Sequence, residues 1–221
     1  MDIRLQRGFP TTTSIHHPLF TFRDIWHISL KHHTKTMQSN NVQQTEERDG
    51  GTTVQPTNIL EIPQGVKVLY GNMWNKHIHK SVIQSIILPE SLEDIDDNAF
   101  SGFASLQSIH IPNGVRKIGE YAFFGCLQLR SVSLSQTLQQ IKRMSFSNCK
   151  SLQSIDIPNG VTEIGNFAFR GCNQLQSVTL PQTLREIKEQ CFYRCTLLRS
   201  INIPNGVTKI GMNAFCGCDQ L

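Results

Sequence analysis

Ile157 to Cys172 reads IPNGVTEIGNFAFRGC, and nearly the same words stand at Ile111 to Cys126 (IPNGVRKIGEYAFFGC) and Ile203 to Cys218 (IPNGVTKIGMNAFCGC). The recurrence extends beyond these segments. Phe100, Phe123, Phe146, Phe169, Phe192 and Phe215 are each separated by 23 residues. The same step links Leu106 through Leu152 to Leu221 and Ile118 through Ile164 to Ile210. Three apolar ladders of one period mean that the chain is built from coils that stack, because equivalent residues must lie above one another.

A slower rhythm lies on top of this one. The Pro-Asn-Gly coils, starting at Pro112, Pro158 and Pro204, alternate with Gln-Thr-Leu coils (SQTLQQIK from Ser135, PQTLREIK from Pro181), so the duplicated unit is a pair 46 residues long. An incomplete forerunner, EIPQGVKVLYGN, begins at Glu61. Its Pro63 lies 26 residues before Pro89, so that coil carries a small insertion.

Each coil has a physical reading. Leu152, Ile155 and Ile157 alternate with polar residues, which predicts a short strand with one face inward. Pro158, Asn159 and Gly160 predict a turn, with positive φ available at Asn or Gly. Val161 and Ile164 make a second inward pair on a short extended segment. Asn166 to Arg170 predicts one helical turn that buries Ala168 and Phe169, closed by Gly171 in the left-handed region. A buried Phe ring in each coil contributes about 2 kcal/mol.

The resulting pattern, L-x-x-I-x-I-P-x-x-V-x-x-I-G-x-x-A-F-x-G-C at Leu152 to Cys172, closely resembles the BspA-like leucine-rich repeat, over Ile59 to Leu221. The resemblance implies an α/β, right-handed, horseshoe-like solenoid of short parallel strands and short helical turns. It also implies protein binding, with a cell-surface adhesin or host-interaction protein as the alternative. The chain departs from commoner leucine-rich repeats in having Gly160 where their Asn ladder stands. Asn148 and Arg194 replace the closing Gly in alternate coils, which predicts that those coils end differently.

Outside the repeats, residues 1–58 read as a disordered or weakly ordered leader. QSNNVQQTEERDGGTTVQPT has almost no apolar side chain with which to offset its ordering entropy. With 38% apolar and 17% charged residues and a net charge of +4, the remainder suits one folded domain. No basic block announces nucleic acid or an anionic membrane. No stretch is long and apolar enough to span a bilayer and no secretory signal is visible, so the sequence reads as a soluble, cytoplasmic chain. Leu221 opens a coil that the sequence does not complete; exposure of the Phe215 and Ile210 layer and end-to-end self-association are therefore expected.

Chemistry is scarce. The Ser and His signatures of hydrolases, phosphate-binding loops and zinc proteases are all missing, which argues against an enzyme and against a cofactor. Asp96 and Asp97 suit the start of a helical turn, where carboxylates accept backbone hydrogen bonds. Cys126, Cys149, Cys172, Cys195 and Cys218 form another ladder and, with Cys191, read as reduced core residues; Cys216 reads as exposed. Neither these nor His16, His17, His32, His33, His77 and His79 form a metal-ligand pattern.

What remains is the exposed strand face. A serine column, Ser85 to Ser200, reads as a structural ladder of mutually bonded hydroxyls. Beside it the column Ile87, His110, Ser133, Asp156, Thr179 and Asn202 changes chemistry at every coil while its flanks stay constant. The sequence therefore predicts a non-catalytic protein-protein interaction module whose partner-binding residues are His110, Ser133, Asp156, Thr179 and Asn202, with Arg130 and Arg199 alongside. It is also readable as the recognition part of a larger receptor or enzyme.

Overall fold

The computed structural model describes residues 58–74 and 78–221, so the leader expected over residues 1–58 lies, but for Asn58, outside the described residues. Seven three-residue strands form one wall: β1 (Ile59–Glu61), β3 (Ser85–Ile87), β5 (Ser108–His110), β7 (Ser131–Ser133), β9 (Ser154–Asp156), β11 (Ser177–Thr179) and β13 (Ser200–Asn202). Seven two-residue strands form a second: β2 (Val68–Leu69), β4 (Asp94–Ile95), β6 (Lys117–Ile118), β8 (Gln140–Ile141), β10 (Glu163–Ile164), β12 (Glu186–Ile187) and β14 (Lys209–Ile210). All pairings are parallel, in the orders β1-β3-β5-β7 and β9-β11-β13 on the first wall, and β2-β4-β6-β8-β10 and β12-β14 on the second. Across the break between β7 and β9, Gln153 N–H donates to the Arg130 carbonyl at 3.2 Å.

The architecture is a parallel β-solenoid, and the register is the sequence period made visible: Ile109 pairs with Val132 and Val178 with Ile201. In the first coil the register is 26 residues, Leu60 with Ile86 and Val68 with Asp94. The insertion therefore follows β2, where Gly71–Met73 forms a 3-10 turn and Trp74 enters the core.

The helical turn expected at Asn166 to Arg170 is not a helix, and the α/β label gives way to a coil of strands and turns. Within the coil, Ala168 N–H bonds the Gly165 carbonyl, Arg170 N–H that of Phe167, and Cys172 N–H that of Phe169. The intervening amides point the other way: Phe167, Phe169 and Gly171 donate to the carbonyls of Glu189, Cys191 and Tyr193 in the next coil, at 2.8–2.9 Å. A helix would direct all these amides along its own axis and leave the coil edges unpaired. Linked turns send every second amide along the stack, so this side becomes a third hydrogen-bonded wall.

That geometry requires left-handed residues. Gly102, Gly125, Gly171 and Gly217 adopt φ of 70–78°, as the Gly171 reading anticipated. Asn148 (φ 61°) and Arg194 (φ 57°) adopt the same region, so the alternate coils do not end differently after all. A second ladder was not foreseen: Asn98, Tyr121, Met144, Phe167, Gln190 and Asn213 all lie at φ 50–61°. Each such non-glycine residue costs about 1–2 kcal/mol, and the inter-coil hydrogen bonds hold it there.

The Pro-Asn-Gly turn also differs from expectation, since neither Asn159 nor Gly160 takes a positive φ. Glycine is required there by close approach: a Cβ on Gly160 would lie 2.9 Å from the Leu138 carbonyl oxygen, and one on Gly114 would lie 2.4 Å from that of Leu92. The Asn has its own task. Asn113 Oδ1 accepts from Gln136 N–H, and Asn159 Oδ1 from Gln182 N–H, both at 3.0 Å. Thr183 Oγ1 donates back to the carbonyls of Asn159 (2.9 Å) and Val161 (2.6 Å). Thr137 does the same to Asn113 and Val115. Each Pro-Asn-Gly coil thus clasps the Gln-Thr-Leu coil after it, which is the physical reason for the 46-residue pair.

The core runs the length of the stack. Phe123, Phe146, Phe169, Phe192 and Phe215 stack at 5.1–5.5 Å between centroids with ring planes 1–6° apart. Phe100 to Phe192 have no exposed surface. At the last coil the layer opens, with Ile210 55% and Met212 69% exposed and Phe215 half-buried.

Two substitutions test the backbone account by thermal or denaturant unfolding. Gln190→Gly relieves a left-handed residue and should stabilise the fold by about 0.5–1 kcal/mol after the extra freedom of the unfolded glycine is subtracted. Gly165→Ala places a Cβ 2.5 Å from the Arg143 nitrogen and should destabilise it by about 2 kcal/mol.

Candidate partner-binding face

The first wall buries the central residue of each strand and exposes the two beside it. This alternation comes directly from the pleat. It places His110 opposite Ser133, Asp156 opposite Thr179, and Thr179 opposite Asn202. All five are exposed, as are Arg130 and Arg199, which lie just before β7 and β13. The anticipated column therefore exists as a continuous outward row.

Few of these side chains are engaged. Thr179 Oγ1 donates to Asp156 Oδ1 at 2.6 Å, and Arg199 Nε donates to Gln220 Oε1 at 3.2 Å. Among the described residues no side-chain hydrogen bond or ion pair holds His110, Arg130, Ser133 or Asn202. The serine column is in register, Ser108 with Ser131 and Ser154 with Ser177 with Ser200. Its expected ladder of bonded hydroxyls is not formed among the described residues: those side chains face outward.

The second wall is the reverse case. Its outward charges pair across neighbouring coils: Lys67 with Glu93 (2.7 Å), Lys117 with Asp96 (3.7 Å) and Lys209 with Glu186 (2.7 Å). Glu163 accepts Lys188 at 2.7 Å and Lys142 at 3.5 Å. The Lys188 hydrogen bond, reinforced by Lys142 and opposed by partial burial, holds the Glu163 carboxyl below its usual range. Asp97 does accept a backbone hydrogen bond, but from Glu120 N–H of the next coil at 2.7 Å rather than from a helix start.

The cysteines behave as core residues. Cys126, Cys149, Cys172 and Cys195 are buried, and each Sγ donates to the carbonyl of the Phe 26 residues earlier at 3.2–3.3 Å. Burial pushes the Cys126 and Cys172 thiols up to about 12 and raises Cys149 and Cys191 as well. All seven cysteines are free thiols; Cys216 is exposed and Cys218 half-buried. Among the described residues no group of three or more His, Cys, Asp or Glu could hold a metal ion. His79 is exposed; His16, His17, His32, His33 and His77 lie outside the described residues.

A feature that sequence reasoning missed lies on the turn wall. A pocket of about 450 Å³ is lined there by Met144, Asn148, Lys150, Arg170, Tyr193 and Arg194, among others. Arginines stack on rings around it: Arg143 lies 5.6 Å from the centroids of both Tyr121 and Phe167, and Arg170 lies 5.8 Å from Phe167 and 5.1 Å from Tyr193. Arg194 covers Tyr193 at 5.3 Å. The only signal in the sequence is the spacing of Tyr121 and Phe167 by one 46-residue pair; the arginines occupy different places in successive coils.

With the geometry in view, the class is a leucine-rich repeat solenoid. The chain belongs to the BspA type leucine rich repeat family, whose model matches residues 74–184 in 6 copies. Its fold is similar to a Treponema pallidum leucine-rich repeat protein, with 28% identity and a TM-score of 0.53 over 77% of this chain and 86% of that one. It is also similar to a leucine-rich repeat protein from Eubacterium ventriosum ATCC 27560, with 25% identity and a TM-score of 0.63 over 73% of this chain and 46% of that one. The chain thus spans less than half of the Eubacterium protein. No curated protein matches it. No helix among the described residues is long and apolar enough to cross a membrane.

Two measurements check this electrostatic and thiol picture. The Glu163 interaction should stabilise the fold above its ordinary pKa of 4.5 and be lost as pH falls through the lower folded value. Glu163→Gln should therefore cost about 0.5–1 kcal/mol at pH 7 and little at pH 3. In the native protein at pH 8 a thiol reagent should modify Cys216 rapidly, while the four buried ladder cysteines react only on unfolding.

Proposed function

We propose that the chain is a non-catalytic protein-protein interaction module that binds its partner through the first wall. The row His110, Ser133, Asp156, Thr179 and Asn202, with Arg130 and Arg199, carries the specificity. The supporting observation is the contrast between the two walls: the charges of the second pair with one another, whereas most of the variable row makes no side-chain bond within the chain. A preorganised sheet of this kind loses little conformational entropy on binding, and stacked coils present it as one extended surface. Ile87, 49% exposed at the head of the row, adds an apolar contact.

The test is recovery of bound protein by the tagged chain from its native cells, run beside a His110→Ala/Asp156→Ala/Thr179→Ala/Asn202→Ala variant whose fold is verified by circular dichroism. A protein retained by the wild type and lost by the variant supports the strand face. Equal recovery removes that face from the proposal. Surface labelling of intact cells separates a cytoplasmic module from the adhesin or host-interaction alternative. Sedimentation over a concentration series reads the end-to-end self-association expected of the open layer at Ile210.

A further inference from the structure

We infer that the turn wall is a second binding surface, separate from the strand face, and that it takes an acidic peptide segment of a partner protein. Lys150, Arg170 and Arg194 converge on the 450 Å³ pocket without a single Asp or Glu in its lining. Among the described residues none of the three forms an ion pair, nor does Arg143 in the coil before. Like charges gathered in one concavity raise the local concentration of anions. The arrangement therefore selects for negative charge.

The arginines are also held in place. Arg143 and Arg170 are each sandwiched between rings of two different coils, and Arg194 covers Tyr193. A guanidinium stacked by its face keeps its N–H edges directed away from the ring, where a planar carboxylate can accept two hydrogen bonds. Three successive coils supply one arginine each, about 5 Å apart along the stack as the Phe rings measure it. An extended peptide repeats its side chains on one face every 6–7 Å or so, so alternate Glu or Asp residues follow the row with a modest tilt.

The uncharged lining fits the same occupant. Asn148 and Asn173 offer a carbonyl and an amide each, the complement that a peptide backbone presents. Met144 and Phe124 supply apolar edges for an intervening side chain. A recognition site combining backbone-like amides, apolar edges and forked cations matches a peptide more closely than a bare anion.

Binding of a fluorescein-labelled peptide of alternating Glu and Gly is measured by anisotropy on the full chain, with the matching Gln and Gly peptide as the neutral probe. The Glu peptide should bind, the Gln peptide should bind at least tenfold more weakly, and affinity should fall between 50 and 200 mM salt in proportion to the ion pairs formed. Arg170→Gln/Arg194→Gln should weaken binding roughly tenfold, and Arg170→Lys/Arg194→Lys should recover only part of it, because lysine lacks the planar fork. Arg130→Gln/Arg199→Gln makes the same change of net charge on the strand face and should leave the affinity unaltered. Circular dichroism confirms that each variant folds, and Lys150→Gln, which lies outside the ring stack, gives an independent reading. Equal binding of the two peptides, equal loss in the turn-wall and strand-face variants, or binding of a heparin fragment without binding of the Glu peptide would each overturn the assignment. Because the strand face is probed separately, either surface can fail without the other.

Discussion

The structure depends on one constraint: no coil can cover its own edge. Twenty-three residues close a loop with apolar side chains inward and unpaired backbone groups above and below, and both are satisfied only by another coil. The stacked phenylalanines and the three inter-coil hydrogen-bonded walls are two expressions of that requirement. Stability therefore accumulates along the stack, and local strain is tolerated wherever it improves the fit between neighbours. The ladder of left-handed residues from Asn98 to Asn213 is the clearest case. Tyr, Met, Phe and Gln there take a conformation that they would avoid in isolation, because it turns every second amide toward the next coil.

The alternation of coil types has a local cause. Asn113 and Asn159 each reach the following coil, whose Thr137 or Thr183 bonds back. The glycines of the same turns lie against the backbone of the preceding coil. A Pro-Asn-Gly coil is thus shaped to sit on one neighbour and to clasp the other, and a uniform array would lose one of the two fits. The pairing extends to the second wall, where Lys142 and Lys188 occupy the position of Gly165 in the coils on either side and both reach Glu163.

This division of labour bears on function. The second wall closes its charges internally, and the core binds its thiols to backbone carbonyls, so neither offers much to a partner. The strand face and the turn wall remain open, and they differ in character: the first carries a mixed row of short polar side chains, the second a row of arginines fastened to aromatic rings. A solenoid can present two such surfaces at once because its coils are rigid in cross-section and its faces are separated by the core.

The sequence by itself determined the period, the paired repeat, the family, the inward residues and the outward strand column, because all of these follow from spacing along a chain that repeats itself. Phe169, Ala168, Cys191 and Gly171 stand where their spacing put them. Tertiary structure alone decided the rest. A turn and a helical turn have nearly the same local composition at Asn166 to Arg170, and only the carbonyls of the next coil select the former. Arg194 gives no local sign that it will adopt a glycine conformation. The arginine and aromatic row was hidden because its members come from different places in different coils, and distance in space, not interval in sequence, brings Arg170 between Phe167 and Tyr193.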